Sequence, residues 1–288
     1  MILGKSVHHV EQGKGKIYSV DKIAGYYNDL TEKITRFGKQ DVDVPKTFVD
    51  TGEEIYFSIP IFQYGLAAYD LYLLNSDKTM LKKTLACADW AVDNQNENGS
   101  FTTFEFKDKN HPYSSMAQGE AISLLIRAHL ETNNDKYIDA AKKALDFMLV
   151  PKSEGGVCEY TDDGILLYEF TGFEVVLNGW IFSLWGIFDY CKYTNDDKAK
   201  QALLSTLSAL EKRLPSYDIK YWSKYDGGKN ICSPFYHKLH IAQLEAMHEL
   251  FGDEIYKEYA DKWSEYQNSF FKPKRAFIKK SLQKIFER

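Results

Sequence analysis

Residues 176–193, VLNGWIFSLWGIFDYCKY, are apolar on nearly every side of a helix. They run through Thr194-Asn195-Asp196-Asp197-Lys198 into Ala199–Leu210, whose apolar residues form a single stripe. That pairing decides the fold. A helix apolar all round must be surrounded by protein, whereas a striped one lies on the outside of its domain. The Asn/Asp-rich joint between them supplies an N-cap for the second helix. Working outward, the same unit recurs as Ile61–Leu74, Asn75-Ser76-Asp77-Lys78 and a run to Val92. It recurs as Met116–Leu130, Thr132-Asn133-Asn134-Asp135-Lys136 and Tyr137–Leu149, and as Tyr236–Leu250, Gly252-Asp253-Glu254 and Tyr256–Tyr266. Gly65, Gly119 and Gly179 are spaced 54 and 60 residues apart, a period of helical-hairpin length. The prediction is a mainly all-α protein: an α/α toroid, an incomplete barrel of about four hairpins with inner first helices and outer second helices.

The toroid is expected over residues 56–270. Residues 1–55 read as an irregular N-terminal extension, with a short helix through Lys22–Arg36 capped by Asp21 and an extended, Val-rich Asp41–Val49 around Pro45. Residues 271–288 read as a basic amphipathic tail. The chain must cross from each outer helix to the next inner one over Asn94–Ser115, Pro151–Glu174 and Leu214–Phe235. These short extended segments are rich in Tyr, Phe, Trp, Asp and Gly, which places the site at that rim.

Composition narrows the function classes. Hydrophobic residues make up 44% and charged residues 27%, as in soluble globular proteins, and the 15% of aromatics suits contact with the C–H faces of sugars as well as a large core. A net charge of −5 carries no nucleic-acid signature. Cys87, Cys158, Cys191 and Cys232 are widely scattered and read as free thiols in a reducing compartment. Met1–Lys16 lacks the apolar core of a signal peptide, and Val175–Phe188, interrupted by Asn178, is short of the ~20 residues a membrane span needs. A cytoplasmic, soluble protein is expected. Gly4-Lys5-Ser6 has no glycine at the Walker spacing and is not a phosphate loop, and His8-His9 reads as a solvated pair.

Ser233–His240, Ser-Pro-Phe-Tyr-His-Lys-Leu-His, packs a phenol, two imidazoles and an ammonium into one helix entrance. Pro234 suits the first helical position, and the helix dipole there favours anions. It reads either as a polar site or as an aromatic cap with solvated histidines. Gln63, Gln118 and Asn178, at corresponding starts of inner helices, fit hydroxyl recognition or simple capping. His237 and His240 are spaced to share a metal, but a third ligand is not evident, so a hydrogen-bonding role is expected. Glu53-Glu54, Glu169 and Asp162-Asp163 are candidates for a glycosidase pair, although nothing in their spacing shows that two converge.

The crossings and helix starts together resemble the C-terminal domain of D-glucuronyl C5-epimerases, which invert glucuronate to iduronate within heparan-type polysaccharides. The resemblance rests on Phe62-Gln63-Tyr64-Gly65-Leu66, Ser115-Met116-Ala117-Gln118-Gly119, Ile122-Ser123, Arg127-Ala128, Val176-Leu177-Asn178-Gly179, Tyr221-Trp222-Ser223, Tyr236-His237, His240 and Gln243-Leu244, over roughly residues 55–270. It implies a reaction run by tyrosines, without cofactor, metal or nucleotide. The corresponding positions are Tyr168, eight residues before Val176, then Tyr225 after Leu214-Pro215-Ser216-Tyr217-Asp218, and Tyr236. Two positions depart from the animal enzymes: Leu167 stands where they have glutamate before the first tyrosine, and Gly228, followed by Lys229, where they have arginine.

Inverting C-5 of a uronic acid removes a weakly acidic proton on one ring face and returns one on the other, so two proton-transferring groups are needed. A phenol of pKa ~10 costs about 4 kcal/mol to ionise at neutral pH, and His237, Lys238, His240, Lys224 and Lys229 are the nearby cations or donors in sequence that would reduce this cost. The leading expectation is an epimerase acting on uronates of a polysaccharide or lipid-linked glycan. Its competitors are a lyase, which starts from the same proton abstraction and then expels the 4-linked sugar, and a non-catalytic glycan-binding toroid. The tail, Lys272–Arg288, has Phe277, Ile278, Leu282, Ile285 and Phe286 on a helical stripe among basic residues, which suits either an anionic membrane surface or packing on the toroid.

Overall fold

The computed structural model describes residues 10–36, 42–49 and 51–286, so Gly4-Lys5-Ser6 and His8-His9 lie outside the described residues. After one turn of helix, α1 (Glu32–Thr35), and a two-residue antiparallel ladder of β1 (Thr47–Phe48) with β2 (Glu54–Ile55), four hairpins follow. They are α2 (Ser58–Asn75) with α3 (Lys78–Asn94), α4 (Ser115–Thr132) with α5 (Asp135–Met148), α6 (Leu177–Thr194) with α7 (Asp197–Arg213), and α8 (Pro234–Phe251) with α9 (Glu254–Asn268). The second crossing carries a hairpin of β3 (Cys158–Thr161) and β4 (Gly164–Leu167), and α10 (Lys272–Phe286) closes the described chain. The toroid predicted from the repeat is the observed architecture.

The hairpins repeat because their joints do. Each first helix ends on a left-handed residue, Ser76, Asn133, Asn195 or Gly252, followed directly by Asp77, Asn134, Asp196 or Asp253 at the N-cap of the second. In the first three joints that side chain accepts from a backbone N–H of the helix it opens. The even helices form the inner row: α2 packs on α4, α4 on α6 and α6 on α8. α4 is buried from Ser115 to His129 without a break, whereas α5 buries one stripe of Tyr137, Ala140, Ala141, Ala144, Leu145, Phe147 and Met148. α4 and α6 approach so closely that a Cβ on Gly119 would stand 2.6 Å from the Ser183 backbone and one on Gly186 2.4 Å from Gly119, which only glycine allows.

α8 and α2, the ends of the row, do not pack on each other to a comparable extent, and the N-terminal segment bridges them. Lys238 and Lys14 hold Glu11 and Glu249 to and from α8, while the Tyr26 N–H donates to Asp70 on α2 at 2.8 Å. The helix expected over Lys22–Arg36 is thus one turn only. Burial of Tyr26, Tyr27 and Leu30 across the inner helices' C-terminal ends fixes an irregular path, stapled by the Lys14–Asn28 bridge. No helix among the described residues is long and apolar enough to cross a membrane.

Candidate functional site

All four inner helices begin at one end of the toroid, where the three crossings lie, so their positive dipole ends point to one rim. The third crossing is organised by Asp226. Its carboxylate accepts from Gly228 N at 3.1 Å and from Asn230 N and Nδ2 at 3.2 and 2.6 Å, folding a tight turn after Tyr225. Leu177 N, at the start of α6, donates to Tyr225 O at 3.1 Å, and this pins the turn over the ring. Ser233 caps α8 through Tyr236 N, with Pro234 at the first helical position. The result brings Tyr225 and Tyr236 together: their rings are 4.8 Å apart at 61° and both are half-buried.

Burial raises the pKa of both phenols. Their mutual hydrogen bond acts in opposite senses, holding the proton on Tyr225 and favouring the ionised form of Tyr236, while the negative charge of Glu169 opposes ionisation of either. Glu169 reaches them from the second crossing. Its side chain lies over Gly179, where a Cβ would come within 2.4 Å of Glu169 Oε2, so glycine in the first turn of α6 makes room for the carboxylate. Oε2 is buried with no hydrogen-bond partner among the described residues, and desolvation raises this acid to about 7, with Lys107 the cation that pulls it back. Deeper in the ring, Gln63 Nε2 donates to Glu120 Oε1 at 2.7 Å while Oε2 has no partner among the described residues, and burial pushes Glu120 well up. Lys33, itself lowered to about 8 by burial, is the cation whose charge pulls it back.

Tyr168 is placed differently. Its hydroxyl donates to Glu159 on β3 at 2.6 Å, and the Lys152 ammonium sits 3.5 Å from its ring centre. Tyr168 and Glu169 point opposite ways from the end of β4, and it is Glu169 that stands with Tyr225 and Tyr236. The histidines are neither solvated nor cationic. His237 stacks on Trp222 at 3.6 Å, accepts from Ser223 and donates to Trp263 O at 3.0 Å; His240 lies against Ser223 and Cys232; burial lowers both to about 3. Gln118 ties Phe101 N, Gly99 O and Ala144 O together, a structural role. Lys238 is occupied by Glu11 and Lys224 by Gly228 O. Gln63 and Asn178, whose Oδ1 is buried without a partner, remain at the ring's interior.

Lys229 lines an open rim cavity of about 590 Å³ with Phe173, Glu174, Asp226 and Asn230, bordered by α10. Phe173 continues into an aromatic cluster of Phe170, Phe104, Phe57 and Phe106, packed mostly edge-to-face, and the exposed Lys107 lies 4.8 Å from the Phe170 ring centre. Among the described residues, no group of three His, Cys, Asp or Glu side chains is arranged to hold a metal. Of the carboxylates considered as a glycosidase pair, Asp163 is paired with Arg213, and Glu169 is the one whose charge acts on Tyr225 and Tyr236. Glu120, Lys33 and Lys107 were not singled out from sequence; a lone acid inside the apolar run Met116–Ile126 was the available signal for the first.

A family model for the D-glucuronyl C5-epimerase C-terminus matches residues 92–265. The Caenorhabditis elegans D-glucuronyl C5-epimerase is 31% identical over 210 residues, covering 63% of this chain and 34% of that protein. An uncharacterized protein of Methanocaldococcus jannaschii is 29% identical over 157 residues, covering 52% of this chain and 51% of its own length. The chain thus spans about a third to a half of these relatives. Two solved toroids share the fold: an unsaturated glucuronyl hydrolase specific for heparin (TM-score 0.51, 14% identity, 84% of this chain and 82% of that one) and the unsaturated glucuronyl hydrolase of Bacillus sp. GL1 (TM-score 0.50, 14% identity, 86% and 64%).

Proposed function

The chain belongs to the family of the D-glucuronyl C5-epimerase C-terminus, a carbohydrate epimerase family, and we propose that it inverts C-5 of uronic acid residues in a polysaccharide or lipid-linked glycan. The observation that carries this reading is the Tyr225–Tyr236 ring pair, 4.8 Å apart, with the buried Glu169 carboxylate near enough for its charge to raise both phenols. An acid held at about 7 is matched to taking a proton at neutral pH, whereas a phenol raised above its ordinary value is matched to giving one. Glu169 therefore removes the C-5 proton, and the electron pair of that C–H bond passes into the uronate carboxyl group as an enediolate. A phenol proton of the Tyr225–Tyr236 pair is delivered to C-5 from the other face, leaving the charge on Tyr236, where the hydrogen bond from Tyr225 favours it. Exchange with water restores both groups.

The enediolate carries an extra negative charge, and the inner-helix N-termini with Lys107 and Lys229, cations on the neighbouring crossings, are the positive groups assigned to it. Lys107 and Lys229 thus take the place left by the absent arginine at Gly228. Gln63 and Asn178 are assigned to the sugar hydroxyls. Incubation with a glucuronate polymer such as heparosan in heavy water tests the proposal: deuterium enters C-5 and iduronate forms, and Glu169→Gln and Tyr236→Phe each lower the rate by about 10²–10⁴-fold. Unsaturated chain ends would instead establish the lyase, and tight binding with neither product the silent module.

A further inference from the structure

We propose that α10 docks the protein on an anionic lipid surface and so holds the rim of the toroid beside the membrane. The helix is seated by its polar edge. Ala276 is its one buried residue; the Arg275 guanidinium covers the Tyr221 ring at 4.0 Å; Gln283 donates to Lys229 O at 2.8 Å and accepts from Ile231 N at 3.2 Å. Ala276, Lys279 and Gln283 follow the i, i+3, i+7 spacing of one helix face, and Ile278, Leu282 and Ile285 follow the i, i+4, i+7 spacing of another. A surface helix of a globular protein turns its apolar stripe inward. Here it is turned outward: Phe270, Phe271, Ile278, Leu282, Ile285 and Phe286 are each between 49% and 84% exposed.

Charge identifies the cover for this face. In a chain of net charge −5, α10 has Lys272, Lys274, Arg275, Lys279, Lys280 and Lys284 and no Asp or Glu. An apolar stripe flanked by lysines matches a bilayer with anionic headgroups, which accepts the side chains and pairs the cations. A second copy of the chain fits worse, because a two-fold contact would set two such basic helices against each other. An anionic glycan would pair the cations and leave the stripe in water. Because α10 borders the rim cavity through Leu282, Gln283 and Phe286, lipid at this face lies next to the opening.

The experiment is co-sedimentation of the full chain with phosphatidylcholine vesicles, with and without phosphatidylglycerol. Partition onto the phosphatidylglycerol vesicles is expected, weakening as salt rises to about 0.5 M. The Ile278→Ser/Ile285→Ser double variant should bind at least about tenfold more weakly at an unchanged melting temperature, since both side chains are exposed. Three results overturn the proposal: no partition onto anionic vesicles, equal partition of the double variant, or a micromolar dimer that the same variant abolishes. None of them depends on the reaction assigned to the rim.

Discussion

The two ends of the toroid treat buried charge in opposite ways. At the closed end Arg127 pairs with Asp189 at 2.7 Å, both side chains fully buried, and three more guanidinium hydrogens go to the carbonyls of Ala24, Gly25 and Ser123. Tyr27 donates to the same Asp189 at 2.5 Å, and Asp70 accepts from Tyr26 N. At the open end Glu169 and Glu120 each keep a buried carboxylate oxygen without a partner among the described residues. Burial raises Asp70 at the closed end and Glu169 at the open end alike to about 7, but at the closed end Arg127 and Asp189 compensate each other, whereas the free oxygens of Glu169 and Glu120 lie where a substrate with hydroxyls and a transferable proton has something to offer. A buried polar atom without a partner costs about 1–3 kcal/mol, so the rim is held in its present form by the rest of the fold.

Breaking the closed end should have the largest effect on stability. Arg127→Ala leaves Asp189 buried and uncompensated and frees the Ala24–Gly25 backbone, so a loss of about 3–5 kcal/mol is expected in urea unfolding. Residual activity per folded molecule should be retained, because Arg127 lies at the far ends of the inner helices. A loss under about 1 kcal/mol would show that the N-terminal bridge is not fastened there.

The open end should respond with the opposite sign. Burial raises Glu169 to about 7 from an ordinary 4.5, so the folded state binds its proton more tightly than the unfolded state does. Its contribution to stability therefore falls as pH rises from about 4.5 to 7 and stays lost above that. Glu169→Gln removes the penalty and should stabilise the protein at pH 8 by up to ~3 kcal/mol relative to the parent, with little difference near pH 4. Melting curves across that range check it. Equal melting shifts at both pH values would place Glu169 in contact with water and weaken its assignment as the base.

How much of this was legible follows from the range of the interactions. The ring was readable because its cause is local: a left-handed residue and a capping Asx at each joint, and apolar residues all round one helix of each pair. Tyr225 and Tyr236 were readable through the family pattern, whose turn is closed within a few residues by Asp226. The N-terminal bridge was not, since Arg127 meets Ala24, and Glu249 meets Lys14, across more than a hundred residues. The β3–β4 hairpin had a signal in Asp163-Gly164, with Gly164 at φ 129°, between two β-rich runs. The direction of the side chains leaving that hairpin had none. Which of Tyr168 and Glu169 faces the ring is set by where β4 ends, and a shift of one residue exchanges them.

That exchange makes the sharpest comparison, although its expected effect is the smallest. Tyr168 keeps the position of the family's first tyrosine, but its hydroxyl is held by Glu159 at 2.6 Å and its ring is covered by Lys152, which itself pairs with Glu159 at 3.0 Å. Its backbone N–H and C=O bond to Val157 O and Ser115 N, so the residue joins the hairpin to the start of α4 whatever its side chain does. Tyr168→Phe should then remove one charge-assisted hydrogen bond at the protein's edge, about 1 kcal/mol, and change turnover by no more than about tenfold. Tyr236→Phe should cost orders of magnitude under the same conditions. If Tyr168→Phe were as damaging as Tyr236→Phe at unchanged stability, the hydroxyl would have to leave Glu159 and enter the ring during catalysis, and Glu169 would lose its claim to be the base.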